Sequence, residues 1–161
     1  MADSHFEGTL QHAIHAQIRM ESPARYKPGP VYATAKVFVA QWAAELSQHL
    51  PEGMRVMAVS PGSTPSTDAI RNANFMMRFL MVPIIRLVPG MSHSVAAGAK
   101  RYIDASERGN EANGSFIASA PKKMTGPLHV VDLPHIADEA VQKAVWAAVT
   151  ELTSVALAKS A

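Results

Sequence analysis

The clearest pattern in the chain is a helical spacing of apolar residues that begins just after Pro30. Apolar side chains recur three and four positions apart, which places them on one face of an α-helix. Leu50-Pro51-Glu52-Gly53 follows and is typical of a helix end, with a glycine just past the last turn. The spacing therefore predicts a long helix before Leu50, whose buried face comprises Val31, Ala35, Phe38, Val39, Trp42 and Leu46.

Three further stretches show the same period and predict helices. The first covers residues 5 to 20, the second begins at Ser92 with Gly109 just after its end, and the third lies near the C-terminus. We expect the third to cover part of a sheet or a partner subunit. The stripes are Phe6, Leu10, Ile14 and Ile18, then Val95, Ala99, Tyr102 and Ile103, then Val141, Ala144, Val145, Ala148, Leu152 and Val155.

Two short apolar runs have the length of β-strands. Met54–Val59 follows the long helix, and Ser115–Ala118 follows Asn113-Gly114, a dipeptide that favours a turn. Helices separate the two runs, so the order of elements predicts an α/β chain.

Tyr32 and Lys36 lie four positions apart near the start of the long helix, where such residues are neighbours. A lysine beside a tyrosine stabilises the phenolate and lowers the phenol pKa, ordinarily near ~10. Tyr32 is therefore a candidate proton donor or acceptor for carbonyl/alcohol interconversion near neutral pH. The same spacing also arises by chance, and the alternative interpretation is a solvated lysine beside a half-buried ring.

The order of these features, over roughly residues 28 to 120, resembles the C-terminal half of a short-chain dehydrogenase/reductase. The resemblance implies that Tyr32 is the catalytic acid/base and that Lys36 lowers its pKa and binds the nicotinamide ribose. It also implies that a Pro-Gly turn contacts the nicotinamide and the pyrophosphate side of the cofactor. That turn matches Pro61, Gly62, Ser63, Thr64, Pro65 and Ser66, where Ser66 replaces the usual threonine.

The fold implied is α/β, the C-terminal half of a Rossmann-like doubly wound parallel sheet without its N-terminal cofactor-binding half. The family's Gly-x-x-x-Gly-x-Gly turn has no counterpart, because none of the nine glycines lie close enough together to form it. We therefore expect a truncated form that binds NAD or NADP weakly or not at all. The family's catalytic serine is expected before Met1, and Ser22 is better interpreted as a turn residue before Pro23.

A second apolar run, residues 75 to 88, is nearly apolar all round but contains Arg78, Pro83 and Arg86. It spans about 14 residues, short of the ~20 that cross a bilayer. The resemblance implies a substrate-binding lid here, and its methionines and phenylalanines suggest a bulky, lipophilic carbonyl or alcohol. The alternatives are peripheral membrane contact or packing on a neighbouring helix or second subunit.

Composition narrows the remaining classes. The chain has 161 residues, 48% of them hydrophobic and 17% charged, with a net charge of +2. It is expected to form one partial domain, with a pre-catalytic segment 1–30, a catalytic segment 31–120 and a C-terminal extension 121–161. Lys122-Lys123 is too small for a nucleic-acid interface, and there is no cysteine. His12 and His15 are more typical of solvated side chains than of a metal site, so no metal is expected.

The sequence therefore predicts a cytoplasmic NAD(P)-dependent oxidoreductase of the short-chain type, with little activity alone. A half-sheet leaves an unpaired edge and an uncovered apolar face, so a homo-oligomer is expected. The alternatives are a non-catalytic self-association fragment and a peripheral membrane protein that uses residues 75–88.

Overall fold

The structure is a computed structural model that describes residues 4–21, 27–64, 79 and 82–160. The chain divides into two compact units. The first comprises Met1–Val56 together with Asp132–Ala161, and the second comprises Met57–Val131. The described residues form a mixed α/β fold, as the order of elements predicted.

The first unit is helical. Its elements are α1 (Ser4–Ile18), α2 (Pro28–Leu46), the short α5 (Pro134–Ala137) and α6 (Glu139–Ser160). The helix α6 packs against both α1 and α2. The core consists of Ile14, Ala144, Val145 and Ala148, surrounded by Leu10, Ile18, Phe38, Trp42, Val141 and Val149. Leu10, Ile14 and Ile18 of the α1 stripe and Val141, Ala144, Val145 and Ala148 of the α6 stripe are thus confirmed, whereas the side chains of Phe6 and Val155 lie outside the described residues. The helix α6 covers two helices of its own unit.

The predicted stripe of α2 is correct only in part. Phe38 and Trp42 pack against the core, and Trp42 stacks on Trp146 with ring centroids 5.9 Å apart. Val39, however, is 57% exposed, while Ala40 and Ala43 are buried. Small side chains allow a neighbouring helix to approach closely, so α2 presents its alanines where the stripe predicted a valine.

Two glutamine side chains attach α5 to the longer helices. Gln41 Nε2 donates to the carbonyl oxygen of His135 at 2.6 Å, and Gln142 Nε2 donates to that of Ile136 at 2.8 Å. Asp138 Oδ1 then accepts the first free amides of α6, from Ala140 at 3.0 Å and Val141 at 3.2 Å. The glutamine bonds satisfy carbonyl groups of the short helix α5, and the Asp138 bonds satisfy amides at the start of α6.

The second unit contains a small mixed sheet of order β1-β2-β3. Its strands are β1 (Ala58–Val59), β2 (Phe116–Ala118) and β3 (His129–Val130), and its helices are α3 (Val82–Leu87), α4 (Val95–Ser106) and a 3₁₀ turn at Asn110–Ala112. The strands β1 and β2 are parallel, and β3 is antiparallel to β2. Both predicted strands exist but are shorter than expected, and the antiparallel strand β3 was not predicted.

The predicted buried face of α4 is wrong. Its buried residues are Gly98, Arg101 and Ala105, whereas Val95, Tyr102 and Ile103 are exposed. The reason is that each buried position meets a close neighbour: Gly98 lies against the segment after β1, Arg101 hydrogen-bonds to two carbonyls and a serine, and Ala105 packs beside Ile117. Small residues and a hydrogen-bonding side chain fit there better than bulky apolar ones. Ser94 rather than Ser92 caps the helix, because Ser94 Oγ accepts from the amide of Ala97 at 3.2 Å.

The segment between α4 and β2 also differs in part from the prediction. Gly109 has a φ of −78° and precedes the 3₁₀ turn, so it does not form the left-handed helix end that was predicted. The predicted turn at Asn113-Gly114 is confirmed, with Gly114 at a φ of +74°. Beyond it, Ile117 is fully buried with Ala105 and Ala112, and these residues form the core of the second unit.

Truncating a core residue of α6 should destabilise the first unit selectively. Val145 is fully buried, so Val145→Ala should lower the free energy of unfolding by about 2 kcal/mol through lost burial and a small cavity. Both tryptophans of the chain, Trp42 and Trp146, belong to this unit, so their fluorescence in a denaturant titration measures it.

The matched control is Val39→Ala, because Val39 lies on the same bundle but is exposed. Its effect should stay within about 0.5 kcal/mol. Equal losses for the two variants would contradict the assignment of the core.

Candidate functional site

Tyr32 and Lys36 are neighbours on the N-terminal half of α2. The Lys36 Nζ lies 5.4 Å from the centroid of the Tyr32 ring, within the range of a cation–π contact. Tyr32 is 66% exposed, and residues 31 to 36 are all exposed. The first part of α2 therefore presents a phenol and an ammonium to solvent, while its second part supplies core residues.

The predicted cofactor turn begins where β1 ends, in the second unit. Pro61, Gly62, Ser63 and Thr64 are half-buried. Gly62 has a φ of +74°, a left-handed conformation that glycine adopts without strain. The Gly62 amide donates to Ser60 Oγ at 3.3 Å, and the Ser63 amide donates to the carbonyl oxygen of Met124 at 3.1 Å. One hydrogen bond to the neighbouring Ser60 and one to Met124 in another segment thus hold the turn.

His93 clamps this turn at two points. Its backbone amide donates to the carbonyl oxygen of Ser63 at 3.0 Å, and its Nε2 lies 2.8 Å from the carbonyl oxygen of Pro61. A carbonyl oxygen only accepts hydrogen bonds, so Nε2 must carry the proton. His93 is therefore the Nε2–H tautomer.

Arg101 joins three segments around the turn. Its Nε donates to the carbonyl oxygen of Ser60 at 3.1 Å, Nη1 to that of Gly126 at 2.9 Å, and Nη2 to Ser119 Oγ at 3.1 Å. Ser60 follows β1 and Ser119 follows β2, so the guanidinium bridges the carboxyl ends of the two parallel strands. Arg101 is 5% exposed, and burial lowers its pKa from the ordinary value. It remains a cation at neutral pH because arginine is the most basic of the side chains.

Two glycines allow close approaches around the turn, Gly98 of α4 to Thr64 and Gly62 to the backbone of Met124. A Cβ atom at Gly98 would lie 2.8 Å from Thr64 Cγ2, and one at Gly62 would lie 2.9 Å from the carbonyl oxygen of Met124. Carbon atoms in proteins essentially never approach so closely without displacement. The absence of a side chain at both positions therefore permits the observed position of the turn.

Several predicted residues lie outside the described part of the chain. These are Ser66 and Pro65 of the turn, Ser22, and residues 75–78, 80 and 81 of the predicted lid. Within that run the structure describes Phe79, which is exposed, and the short helix α3, where Leu87 is 81% exposed. Among the described residues, no helix is long and apolar enough to cross a membrane.

The structure brings together two groups of candidate residues, each within one unit. Tyr32 contacts Lys36 in the first unit, and the Pro61–Thr64 turn contacts His93 in the second. The sequence analysis missed His93 and Arg101. For Arg101 there was a weak signal, since Gly98, Arg101 and Ala105 recur at helical spacing opposite bulkier residues and describe a flat face.

No group of three or more His, Asp or Glu side chains within the described ranges could hold a metal ion. No protein-family model matches the sequence, and no curated protein matches it.

Placing a methyl group at Gly98 tests the close approach of α4 to the turn. Helix propensity alone predicts that Gly98→Ala stabilises α4 by about 1 kcal/mol. The contact with Thr64 predicts the opposite, a loss of about 1–2 kcal/mol, because the turn or the helix must move. Hydrogen exchange of the buried Ile117 amide in β2 measures the stability of this unit.

Ala96→Gly on the exposed side of α4 is the control, since it reports helix propensity in the same helix. Slower exchange of Ile117 in Gly98→Ala would show that the contact is not restrictive.

Proposed function

We propose that this chain carries the catalytic half of an NAD(P)-dependent oxidoreductase of the short-chain dehydrogenase/reductase type, with the fold of the C-terminal half of a Rossmann-like sheet. The observation that carries the proposal is the contact of Lys36 Nζ with the Tyr32 ring, at 5.4 Å. The parallel pair β1 and β2, followed by the Pro61–Thr64 turn, supports it, since ligands of parallel sheets bind at the carboxyl ends of the strands.

The residues of the turn suit a nicotinamide. The carboxamide of that ring needs hydrogen-bond acceptors for its NH₂ group. The carbonyl oxygens of Pro61 and Ser63 each accept one hydrogen bond from His93 and have a second lone pair available. The His93 and Arg101 bonds hold these carbonyls in place before any ligand binds, which lowers the ordering cost of binding.

Each candidate residue then has a distinct role. The nicotinamide, when bound, supplies or accepts the hydride. Tyr32 exchanges a proton between its hydroxyl and the substrate oxygen, as a general acid in reduction and a base in oxidation. Lys36 donates hydrogen bonds to the ribose hydroxyls. The Pro61–Ser66 turn seats the ring, and a lid within residues 75–88 favours a bulky, lipophilic carbonyl or alcohol.

Removing the Tyr32 hydroxyl tests the catalytic role. Tyr32→Phe should lower kcat by about a thousandfold, the scale of a lost general acid. Stability should be nearly unchanged because the ring is exposed. The measurement is NAD(P)H oxidation with a panel of lipophilic and polar carbonyls. It uses this chain joined to the glycine-rich cofactor-binding half of a short-chain dehydrogenase.

Tyr102→Phe is the matched control, since Tyr102 is a half-exposed tyrosine on α4 outside the proposed site. It should leave kcat unchanged. An unaltered kcat in Tyr32→Phe would remove Tyr32 from the mechanism.

The chain alone should bind the complete cofactor only weakly. Its glycines form no Gly-x-x-x-Gly-x-Gly turn for the pyrophosphate, so the proposed contacts reach only the nicotinamide and its ribose. We expect dissociation constants of NAD and NADP weaker than about 1 mM, equivalent to about 4 kcal/mol of binding free energy. Isothermal titration calorimetry measures them. Micromolar affinity for either cofactor would mean that another loop supplies the phosphate site.

The exposed apolar side chains of α3 favour peripheral membrane contact as a second candidate function. Ile84 and Leu87 of α3 and Val88 directly after it are all exposed. If this contact is real, the chain should float with lipid vesicles, and Leu87→Glu should abolish flotation. The control is Ile103→Glu on α4, which introduces the same charge at an exposed apolar residue outside α3 and should leave flotation unchanged. A chain that does not float with vesicles of either neutral or anionic lipid would exclude the membrane function.

A further inference from the structure

The charge of Arg101 is not cancelled by the groups that it contacts. Its three acceptors are two carbonyl oxygens and a serine hydroxyl, all uncharged. Buried cations are usually paired with a carboxylate, since an unpaired charge loses its hydration without replacement. These three hydrogen bonds keep the guanidinium in the fold while leaving a net positive charge beside the turn.

Two lysines near the turn add to the positive potential of Arg101, and the acidic residue of α4 is hydrogen-bonded to another lysine. The segments that follow the parallel strands, residues 60–64 and 119–127, contain Lys122 and Lys123 and no Asp or Glu. The one acidic residue of α4 is Asp104, one helical turn after Arg101, and it is hydrogen-bonded to Lys100 and raises the pKa of that lysine. Arg101 instead donates to the carbonyl oxygen of Ser60, at the start of the turn.

We propose that Arg101 makes this turn discriminate between the two redox states of a nicotinamide, favouring the reduced ring. The proposal rests on the proposed function, in which the turn seats that ring. The oxidised ring carries one positive charge, and addition of a hydride (a proton and two electrons) makes it neutral. The two forms have nearly the same size and the same carboxamide. A nearby buried cation therefore repels the oxidised form and leaves the reduced form unaffected.

The expected discrimination is measurable. At an effective dielectric constant of about 20, a second unit charge about 10 Å from the guanidinium changes a binding constant on the order of tenfold. A buried charge is screened little by salt, whereas the exposed Lys122 and Lys123 are screened within a Debye length of about 10 Å at 0.1 M. The preference for the reduced ring that remains at high salt is therefore the contribution of Arg101. In reduction, the same repulsion favours release of the oxidised product.

The test compares nicotinamide mononucleotide with its reduced form, which share one phosphate and differ in ring charge. Each is titrated into the chain as it is, and the amide signals of Gly62 and Ser63 are followed by NMR, which measures weak binding without turnover. The reduced form should bind about tenfold more tightly, at both 0.05 M and 0.5 M salt. Arg101→Gln should reduce this ratio toward one, and Arg101→Lys, which retains the charge, should preserve most of it.

Arg108→Gln is the matched control. Arg108 is a second arginine of the same unit whose Nη2 donates to a carbonyl, that of Leu128 at 2.7 Å, but it follows the far end of α4. It should leave the ratio unchanged. Lys122→Gln with Lys123→Gln should alter the ratio at low salt only.

The outcomes separate this inference from the proposed function. If both forms bind at the turn with equal affinity, or if the oxidised form binds more tightly, Arg101 does not discriminate and the inference is wrong, while the nicotinamide seat remains. If neither form shifts the Gly62 and Ser63 signals at tens of millimolar, the seat itself is wrong and the inference fails with it. Should Arg101→Gln not fold, the ratio of the unmodified chain at high salt still decides.

Discussion

The hydrogen bonds of the Arg101 guanidinium hold the candidate chemistry of the second unit in place. One side chain binds Ser60 after β1, Ser119 after β2 and Gly126 in the loop before β3. The planar fork of arginine has five donors in a fixed geometry, so it can reach three separate segments at once, which a lysine ammonium cannot do. Removing it would leave two carbonyls and a hydroxyl without a partner, at about 1–3 kcal/mol for each one that is buried.

The first unit separates stability from chemistry along a single helix. The C-terminal half of α2 buries Ala40 and Ala43, packs Trp42 against the core and holds α5 through Gln41. Its N-terminal half exposes Tyr32 and Lys36. Because the rigid, buried half fixes the axis of the helix, the exposed half presents its side chains in a defined direction without contributing to the core. A site built on such a helix is more exact than one built on a loop.

The sequence predicts the elements whose formation depends on local periodicity. The described core residues of α1 and α6 follow their predicted stripes because the two helices bury each other, and the Tyr32–Lys36 contact follows from a spacing of four residues. The same reasoning fails for α4, because periodicity treats Arg101 as a solvent-facing residue and Val95, Tyr102 and Ile103 as core. Its orientation is set by three hydrogen bonds over 18 to 41 residues of sequence, mostly to backbone carbonyls.

The same limit explains why β3 and His93 were not predicted. A two-residue strand has no periodicity of its own, and β3 exists because Val131 donates to the carbonyl oxygen of Phe116 at 2.9 Å and the chain pairs with β2. His93 acts on Pro61 across 32 residues, through a carbonyl that every residue possesses. The Pro-Gly dipeptide does signal a turn, and Gly62 does adopt the left-handed conformation. The position of the turn, however, depends on hydrogen bonds to His93 and Met124, which the dipeptide does not specify.

The choice of uncharged partners for Arg101 connects the architecture of the turn with its electrostatics. A carboxylate in place of Ser119 would have satisfied the guanidinium equally well and would have cancelled its charge. A hydroxyl and two carbonyls satisfy the hydrogen bonds but leave the charge, at the cost of desolvation that lowers the arginine pKa. The bonds that fix the position of the turn therefore also determine the potential beside it, and any ligand that binds there meets a preformed surface with a positive field.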